Sequence, residues 1–442
     1  MLAEAHFQSG NAAGATGRFA DAIAYFDAAL GLQPGYVEAH LQRGHALNEL
    51  GRAHAALASF ERALAINPRH AGALAARAGV LNDLDRLDEA MAATRLAMRA
   101  APEDINVRKR FFWLLAATGA DDRDMADASD EVARLSAKAA REQLRARRSI
   151  ADFRAAHDLA QTAFLIAEGY TCAGLDEAHA RLQDVCARAP APCEDPQLVP
   201  MKETEIAAIA RFREQKLRYI PRVPEFCLNP ALDWKAIERA YFAGAPQIAV
   251  IDDFLTGAAL AELRRFALIS TVWKSEYLHK YLGAFAEDGF MSPLHMRIAM
   301  ELKDRMPRLL GPQRLEHLWG FKYAPRVAKG INVHADFAKV NLNFWITPDE
   351  ANLDPACGGL VIYDAPAPAS WSFRDYNAGK SLITDFLARS QSGHRRIPYR
   401  CNRAVLFNAS LFHETDTIRF KDGYENQRIN MTYLFGRGLA MG

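Results

Sequence analysis

Cysteine, long apolar runs and net charge are all scarce in this 442-residue sequence, and each shortage removes a class of protein. Six cysteines (Cys172, Cys186, Cys193, Cys227, Cys357 and Cys401) lie scattered with no CxxC pair, which argues against a disulfide scaffold or a zinc ribbon. No stretch approaches the roughly 18 consecutive apolar residues of a membrane span. The start, Met1-Leu2-Ala3-Glu4-Ala5-His6, has neither a basic nor an apolar leader region, so a cytoplasmic protein with no membrane partner is expected. Lys and Arg (54) nearly cancel Asp and Glu (53), so the broad positive field of a nucleic-acid binder is missing. What remains is a globular composition, 50% apolar and 24% charged, in a chain long enough for two or three domains.

Regularity appears first in the N-terminal third. Pro34, Pro68 and Pro102 are spaced 34 residues apart, and around them recur Gly17, Gly51 and Asp85; Ala22, Ala56 and Ala90; Phe26, Phe60 and Thr94; Ala29, Ala63 and Ala97. Small Ala residues let paired helices approach closely, the Phe residues fill the groove between them, Gly makes the turn, and Pro ends the second helix. This period resembles the tetratricopeptide repeat, whose unit is a pair of antiparallel helices. A further, degenerate unit is expected at Gly174-Leu175-Asp176-Glu177-Ala178 with Pro190, after an irregular helical insert over 103–156. In that insert Phe111-Phe112-Trp113-Leu114-Leu115 reads as buried, and the charged run Arg141 to Arg148 reads as a solvated helix face. The Pro-bearing stretch from Ala189 to Pro200, which includes Pro192 and Glu194, is the expected linker, followed by a short helix over 203–218.

The C-terminal half has strand character. Gln247 to Leu255 reads as a strand leading into a helix over 257–269. After Trp319 come the short runs 339–346, 359–363, 404–407 and 428–435, rich in β-branched and aromatic residues. Side chains alternate along a strand, so Arg428, Asn430 and Thr432 share one face, as do Asn341, Asn343 and Trp345. Two settings suit such polar rows, a solvent-facing sheet or the mouth of a barrel. In the second, Arg428 needs an anionic partner, because a lone buried guanidinium is costly. His334-Ala335-Asp336 and the distant His413 give two imidazoles and a carboxylate without a thiolate, the donor set of a 2-His-1-carboxylate facial triad for non-haem Fe(II). Zn and Mn also accept these donors.

Taken in order, Tyr323-Ala324-Pro325, His334-x-Asp336, Gly358-Gly359-x-Val361, Leu406-Phe407 running into His413, and Arg428-x-Asn430-x-Thr432 resemble the motifs of the Fe(II)/2-oxoglutarate-dependent dioxygenases, in their prolyl-hydroxylase-like branch. The resemblance covers roughly residues 246–437. It implies a double-stranded β-helix (jelly roll), with His334, Asp336 and His413 as iron ligands and O2 as oxidant. Arg428 would grip the distal carboxylate of 2-oxoglutarate, Tyr323 would hydrogen-bond that co-substrate, and Asn343 and Trp345 would line the pocket. The fifteen residues from His413 to Arg428 exceed the usual gap, which makes Thr417 to Asn426 a surface loop and Arg419 a rival clamp. Retention of the Asp336 carboxylate points to hydroxylation rather than halogenation.

The expected architecture is an α+β multidomain chain: tetratricopeptide-like repeats over 1–120, further helices, a degenerate repeat and a linker over 121–200, a connecting helix and extended segment over 201–245, and the dioxygenase domain over 246–442. A repeat groove suits a protein or peptide substrate, and relatives of the collagen-type prolyl hydroxylases combine the same two parts. Open alternatives are a small-molecule oxygenase whose repeats serve assembly, and a non-catalytic repeat interaction protein. Oligomerisation through the repeats is also compatible with the sequence, and nucleic acid has no support.

Overall fold

The computed structural model describes residues 1–191, 193, 195–215, 217–327 and 330–438, without the side chains of residues 122, 326 and 327. The chain divides into two compact units, Met1–Val132 and a second from Ala133 onward.

Three antiparallel helix pairs build the first unit: Leu2–Ala15 with Phe19–Leu32, Val37–Glu49 with Ala53–Ile66, and Ala71–Asp83 with Leu87–Ala100. Helix Ile105–Thr118 follows. Each turn within a pair needs a left-handed residue, and Gly17 (φ +75°), Gly51 (φ +70°) and Asp85 (φ +60°) supply it. The recurring Ala22, Ala56, Ala90, Ala29, Ala63 and Ala97 are all fully buried. Gly10 and Gly44 recur at the same period against the aromatic positions. A Cβ at Gly44 would lie 2.3 Å from the Phe60 ring, and one at Gly10 2.5 Å from Phe26. In the third pair the equivalents are Ala78 and Thr94, a larger residue facing a smaller one.

Helix Asp122–Arg147 carries the chain into the second unit, and its charged run is exposed apart from the half-buried Arg141 and the buried Leu144. Phe112, Leu114 and Leu115 are buried, while Phe111 and Trp113 are half-buried. The expected degenerate repeat is a helical hairpin, Asp152–Ala167 with Leu175–Ala187, in which Ala178 is fully buried. The stretch expected to be a linker contains Pro192 and Glu194, which lie outside the described residues. Its end is strand β2 (Leu198–Pro200), paired antiparallel with β1 (Ser149–Ala151). Asp152 accepts a hydrogen bond from the Gln197 amide, so this segment is tied to the helices. The next helix, Glu203–Arg213, stops five residues short of expectation.

Among the described residues twelve further strands follow: β3 (Ile248–Ile251), β4 (Ser275–Tyr277), β5 (Tyr281–Phe285), β6 (Leu315–Tyr323), β7 (Arg326–Val327), β8 (Ala338–Trp345), β9 (Leu360–Pro366), β10 (His394–Ile397), β11 (Ala404–Asn408), β12 (Leu411–Thr415), β13 (Ile418–Arg419) and β14 (Ile429–Arg437). They form a seven-stranded sheet in the order β3-β11-β8-β14-β6-β5-β4, a three-stranded sheet β10-β9-β12, and the ribbon β13-β7. All pairings are antiparallel. The two larger sheets share one apolar cluster, in which Phe321, Tyr323, Trp345 and Phe407 from the seven strands meet Leu360, Ile362, Ile397 and Leu411 from the three. The opposite face of the large sheet, with Phe344 and Tyr433, packs on Phe254 and His295.

Both faces of the large sheet are therefore covered, and the polar rows are interior. Arg428, Asn430, Thr432, Asn341 and Asn343 are all buried, which rules out the solvent-facing setting. The segment expected to be a surface loop is also partly internal: Phe420 and Tyr424 are buried, and Phe420 bridges to Asn352.

Candidate functional site

His334 lies just before β8 and His413 within β12. Their backbones form an isolated antiparallel bridge, His334 N to His413 O at 3.0 Å and His413 N to His334 O at 2.8 Å. The bridge sets the two rings 4.3 Å apart, centroid to centroid. Two residues on, Asp336 is fixed by its amide donating to Ala409 O at 2.9 Å. One candidate ligand atom from each of His334, Asp336 and His413 falls within 4.8 Å of the others, so residues 77 positions apart converge on one point.

Proton placement sharpens this geometry. His334 Nδ1 lies 2.8 Å from Asn332 O, and His413 Nδ1 lies 3.0 Å from Leu411 O. A carbonyl can only accept, so each Nδ1 is the donor and each Nε2 is the nitrogen left to face the site. Both Nε2 atoms face the carboxylate: Asp336 Oδ1 is 3.9 Å from His334 Nε2, and Oδ2 is 3.5 Å from His413 Nε2. Burial, helped by the neighbouring His334, pulls the His413 pKa down to about 4, so this imidazole is neutral at pH 7. Two imidazole nitrogens and a carboxylate oxygen converge here, an arrangement that suits a cation. Asn341 Nδ2 donates to Asp336 Oδ2 at 2.6 Å, which leaves Oδ1 the freer carboxylate oxygen. Such outer partners orient a ligand and tune its basicity.

From Asp336 a polar track runs along the inner face of the large sheet. Asn341 and Asn343 are alternate residues of β8. Asn343 pairs across the strands with Thr432 and donates to its Oγ1 at 2.9 Å. Asn430, also on β14, receives Arg428 Nη1 on its Oδ1 at 3.0 Å. Arg428 is 1% exposed. It also donates to the carbonyls of Gly358 (2.6 Å) and Gly359 (3.4 Å), and the Tyr323 ring centroid lies 4.8 Å from its Cζ. Burial pulls the guanidinium pKa down, opposed by the Tyr323 and Tyr399 hydroxyls and the Asp416 carboxylate. Tyr323 hydroxyl lies 3.3 Å from Thr415 Oγ1, and Thr415 follows His413 by two on β12, so a second route of contacts joins the triad to the guanidinium.

All six sequence-derived site residues thus fall on one interior surface. Arg419, the rival clamp, is exposed on the β13 ribbon. Sequence reasoning missed Asn332, Leu411 and Thr415 and gave Gly358 no role beyond its motif; Asn332, Leu411 and Gly358 act through backbone carbonyls that carry no side-chain signal. It also missed what Asn341 does, although strand alternation aligns it with Asn343. Buried polar atoms with no partner cluster on the same row: Asn341 Oδ1, Asn343 Oδ1 and Trp345 Nε1. Oxygen and nitrogen of an amide are interchangeable by rotation, so Asn343 can equally offer Nδ2 to the interior while Thr432 donates to its oxygen.

Comparison with known proteins concerns the first unit. Residues 7–66 and 41–105 match the family model described as tetratricopeptide repeat. No curated protein matches the chain. Among solved structures, the first such domain of human RPAP3 is 19% identical, covering 27% of this chain and 93% of its own (TM-score 0.26). The Arabidopsis OM64 domain is 23% identical, covering 25% and 93% (TM-score 0.25). MamA from Desulfovibrio magneticus RS-1 is 22% identical, covering 30% and 73% (TM-score 0.27). The helices spanning residues 7–105 are tetratricopeptide repeats, carried on the same chain as an antiparallel sheet-rich region.

Proposed function

We propose that this chain is an Fe(II)- and 2-oxoglutarate-dependent hydroxylase acting on a protein or peptide side chain brought to it by the repeats. The observation that carries this reading is the convergence of His334 Nε2, His413 Nε2 and one Asp336 oxygen within 4.8 Å, with both Nδ1 atoms tied to carbonyls. Two imidazoles and one carboxylate suit a non-haem iron with positions left open, and they also suit Zn or Mn. The buried Arg428, hydrogen-bonded only to neutral oxygens, tilts the choice, since a keto diacid can supply a directly bound anion. Two antiparallel sheets sharing one core support the jelly-roll reading of this region.

When bound, iron and 2-oxoglutarate supply oxidising power from O2, with succinate and CO2 as co-products. The chain's own tasks are positional. His334, Asp336 and His413 would hold the metal, and Asn332 O, Leu411 O and Asn341 fix their orientation. Arg428, flanked by Tyr323, would receive the far carboxylate of the diacid, and Asn343 would line its path. The buried aromatic wall of Phe321, Tyr323, Trp345 and Phe407 keeps water from the interior.

Tetratricopeptide arrays present a surface suited to peptides or partner helices, and a tether raises the effective concentration of a captured chain near the site. No described helix is long and apolar enough to cross a membrane, which is compatible with the cytoplasmic setting proposed. An anaerobic titration tests the reading: the chain should bind one Fe(II) and then 2-oxoglutarate, with weak visible absorption from the iron–keto acid complex. Asp336→Ala should abolish both. Oxygen-dependent succinate formation stimulated by a macromolecular cell fraction supports a polypeptide substrate, and stimulation by a small-molecule filtrate supports the metabolite alternative. Absence of metal binding would leave a non-catalytic repeat protein as the better reading.

A further inference from the structure

Trp345 is fully buried, yet its indole Nε1–H meets no acceptor among the described residues. Two hydroxyls beside it are already engaged. Tyr399 hydroxyl donates to Thr347 O, and Tyr323 hydroxyl pairs with Thr415. Arg428 lies close by, its Cζ 5.7 Å from the Trp345 ring centroid, and Asn430, which anchors Arg428 Nη1, is the cross-strand partner of Trp345. A guanidinium has five N–H bonds, and Arg428 directs one each to Gly358 O, Gly359 O, Asn430 Oδ1 and the Tyr323 hydroxyl, which leaves one. An unspent guanidinium N–H and an unpaired indole N–H therefore lie in one buried neighbourhood, and a native core seldom leaves such donors unmet. Such a pair of donors suits an anion. A carboxylate offers about four lone-pair sites on two oxygens, enough for the guanidinium and the indole together.

We propose that Trp345 is a positioning residue whose indole N–H is the second donor, beside Arg428, to the far carboxylate of the diacid co-substrate. This rests on the hydroxylase reading above. The interaction exists only when that carboxylate is present, so a keto acid ending in methyl gains nothing from it. The inference also gives the β8 strand a second duty: Asn341 at one end serves the metal ligands, and Trp345 at the other serves the anion.

The test uses the full-length, Fe(II)-loaded chain under anaerobic calorimetry, with 2-oxoglutarate and with 2-oxopentanoate, which has the same length but no far carboxylate. Trp345→Phe keeps a ring and removes the N–H. It should weaken 2-oxoglutarate about 10-fold or more, as loss of a hydrogen bond to a charged group does, and leave 2-oxopentanoate within about twofold. A second measurement needs no substitution at Trp345: its 15N-labelled indole resonance in wild type should move downfield with 2-oxoglutarate and stay in place with 2-oxopentanoate. Equal weakening of both acids, or an unmoved indole signal, overturns the inference and means that Trp345 only packs. Unchanged 2-oxoglutarate affinity in Trp345→Phe overturns it too, an internal water then being the partner. In each case wild type still binds the diacid and the hydroxylase reading stands, whereas wild type that binds Fe(II) but no 2-oxoglutarate removes both.

Discussion

Asn341 shows how a residue with no chemistry of its own can control a site. Its amide donates to Asp336 Oδ2 at 2.6 Å and removes one of the two carboxylate oxygens from rotation about the side chain. Asn341→Ala should therefore lower affinity for a divalent metal about 10–100-fold, the usual consequence of losing an outer partner. Asn343→Ala, one turn of the pleat away and bonded to Thr432 instead, should leave metal affinity unchanged. Anaerobic calorimetry with Mn(II) as a stable surrogate measures both, and equal affinities for Asn341→Ala and wild type would contradict the assignment. Arg428 poses the complementary test. Wild type should gain about 2.7 kcal/mol of stability with 2-oxoglutarate at one hundred times its dissociation constant, and Arg428→Ala should gain almost none at the same concentration. Arg419→Ala, altered at an exposed position, should respond like wild type in thermal unfolding.

At the scale of elements, the helix pairs carry a coupled choice between two positions. Gly44 lies where a Cβ would approach Phe60 to 2.3 Å, so Gly44→Ala overfills the pair and should cost about 1–3 kcal/mol. The third pair solves the same contact with Ala78 and Thr94. Gly44→Ala combined with Phe60→Thr should accordingly be less damaging than the sum of the two single changes, by about 1 kcal/mol in a double-mutant cycle read by urea unfolding. Strict additivity would mean that the two positions do not share space. The repeat was legible because its Pro, Gly and Ala positions recur at a fixed period. Strands β8, β9, β11 and β14 were legible because their residues are β-branched or aromatic, and the triad because HxD and a later His are written in side chains. The setting of the polar rows was not. Alternation reports that Asn341 and Arg428 each share a face with their neighbours, but whether that face meets solvent depends on a second sheet that comes from distant parts of the chain. Strands β4, β5 and β10, short and lacking regular alternation, gave no signal. Phe420 and Tyr424 sit among Lys, Asp and Gly, so local composition suggested a surface loop, while tertiary packing buries both rings.

Over the whole molecule, histidines kept neutral by burial tie stability to pH. His157 is packed beside Arg154, Asp158 and Tyr424, and burial pulls its pKa to about 3, with Lys322 and Arg154 reinforcing and Asp158 opposing. His295, enclosed by Phe266, Phe290 and Tyr433, is pulled by burial to about 3 as well. In the metal-free chain His413, at about 4, acts in the same sense. An unfolded histidine protonates near pH 6.5. Below that value the unfolded chain binds protons that the folded one refuses, so stability is fully present above about pH 6.5 and falls as the solution is acidified towards the folded pKa values. At about 1.4 kcal/mol per unit, each ring removes roughly 2 kcal/mol between pH 6.5 and 5. Three together remove about 6 kcal/mol, a large share of the roughly 5–15 kcal/mol that holds an ordinary protein folded. Five of the six tryptophans (Trp234, Trp273, Trp319, Trp345 and Trp371) belong to the second unit, so intrinsic fluorescence in urea follows its unfolding. The midpoint should drop steeply between pH 7 and 5, and Fe(II), by holding His413 in its neutral form, should add to stability most at the upper end of that range, where protons compete least for its site. His295→Phe should flatten the slope by about a third, and a midpoint independent of pH across this window would mean that the buried rings take up protons without unfolding.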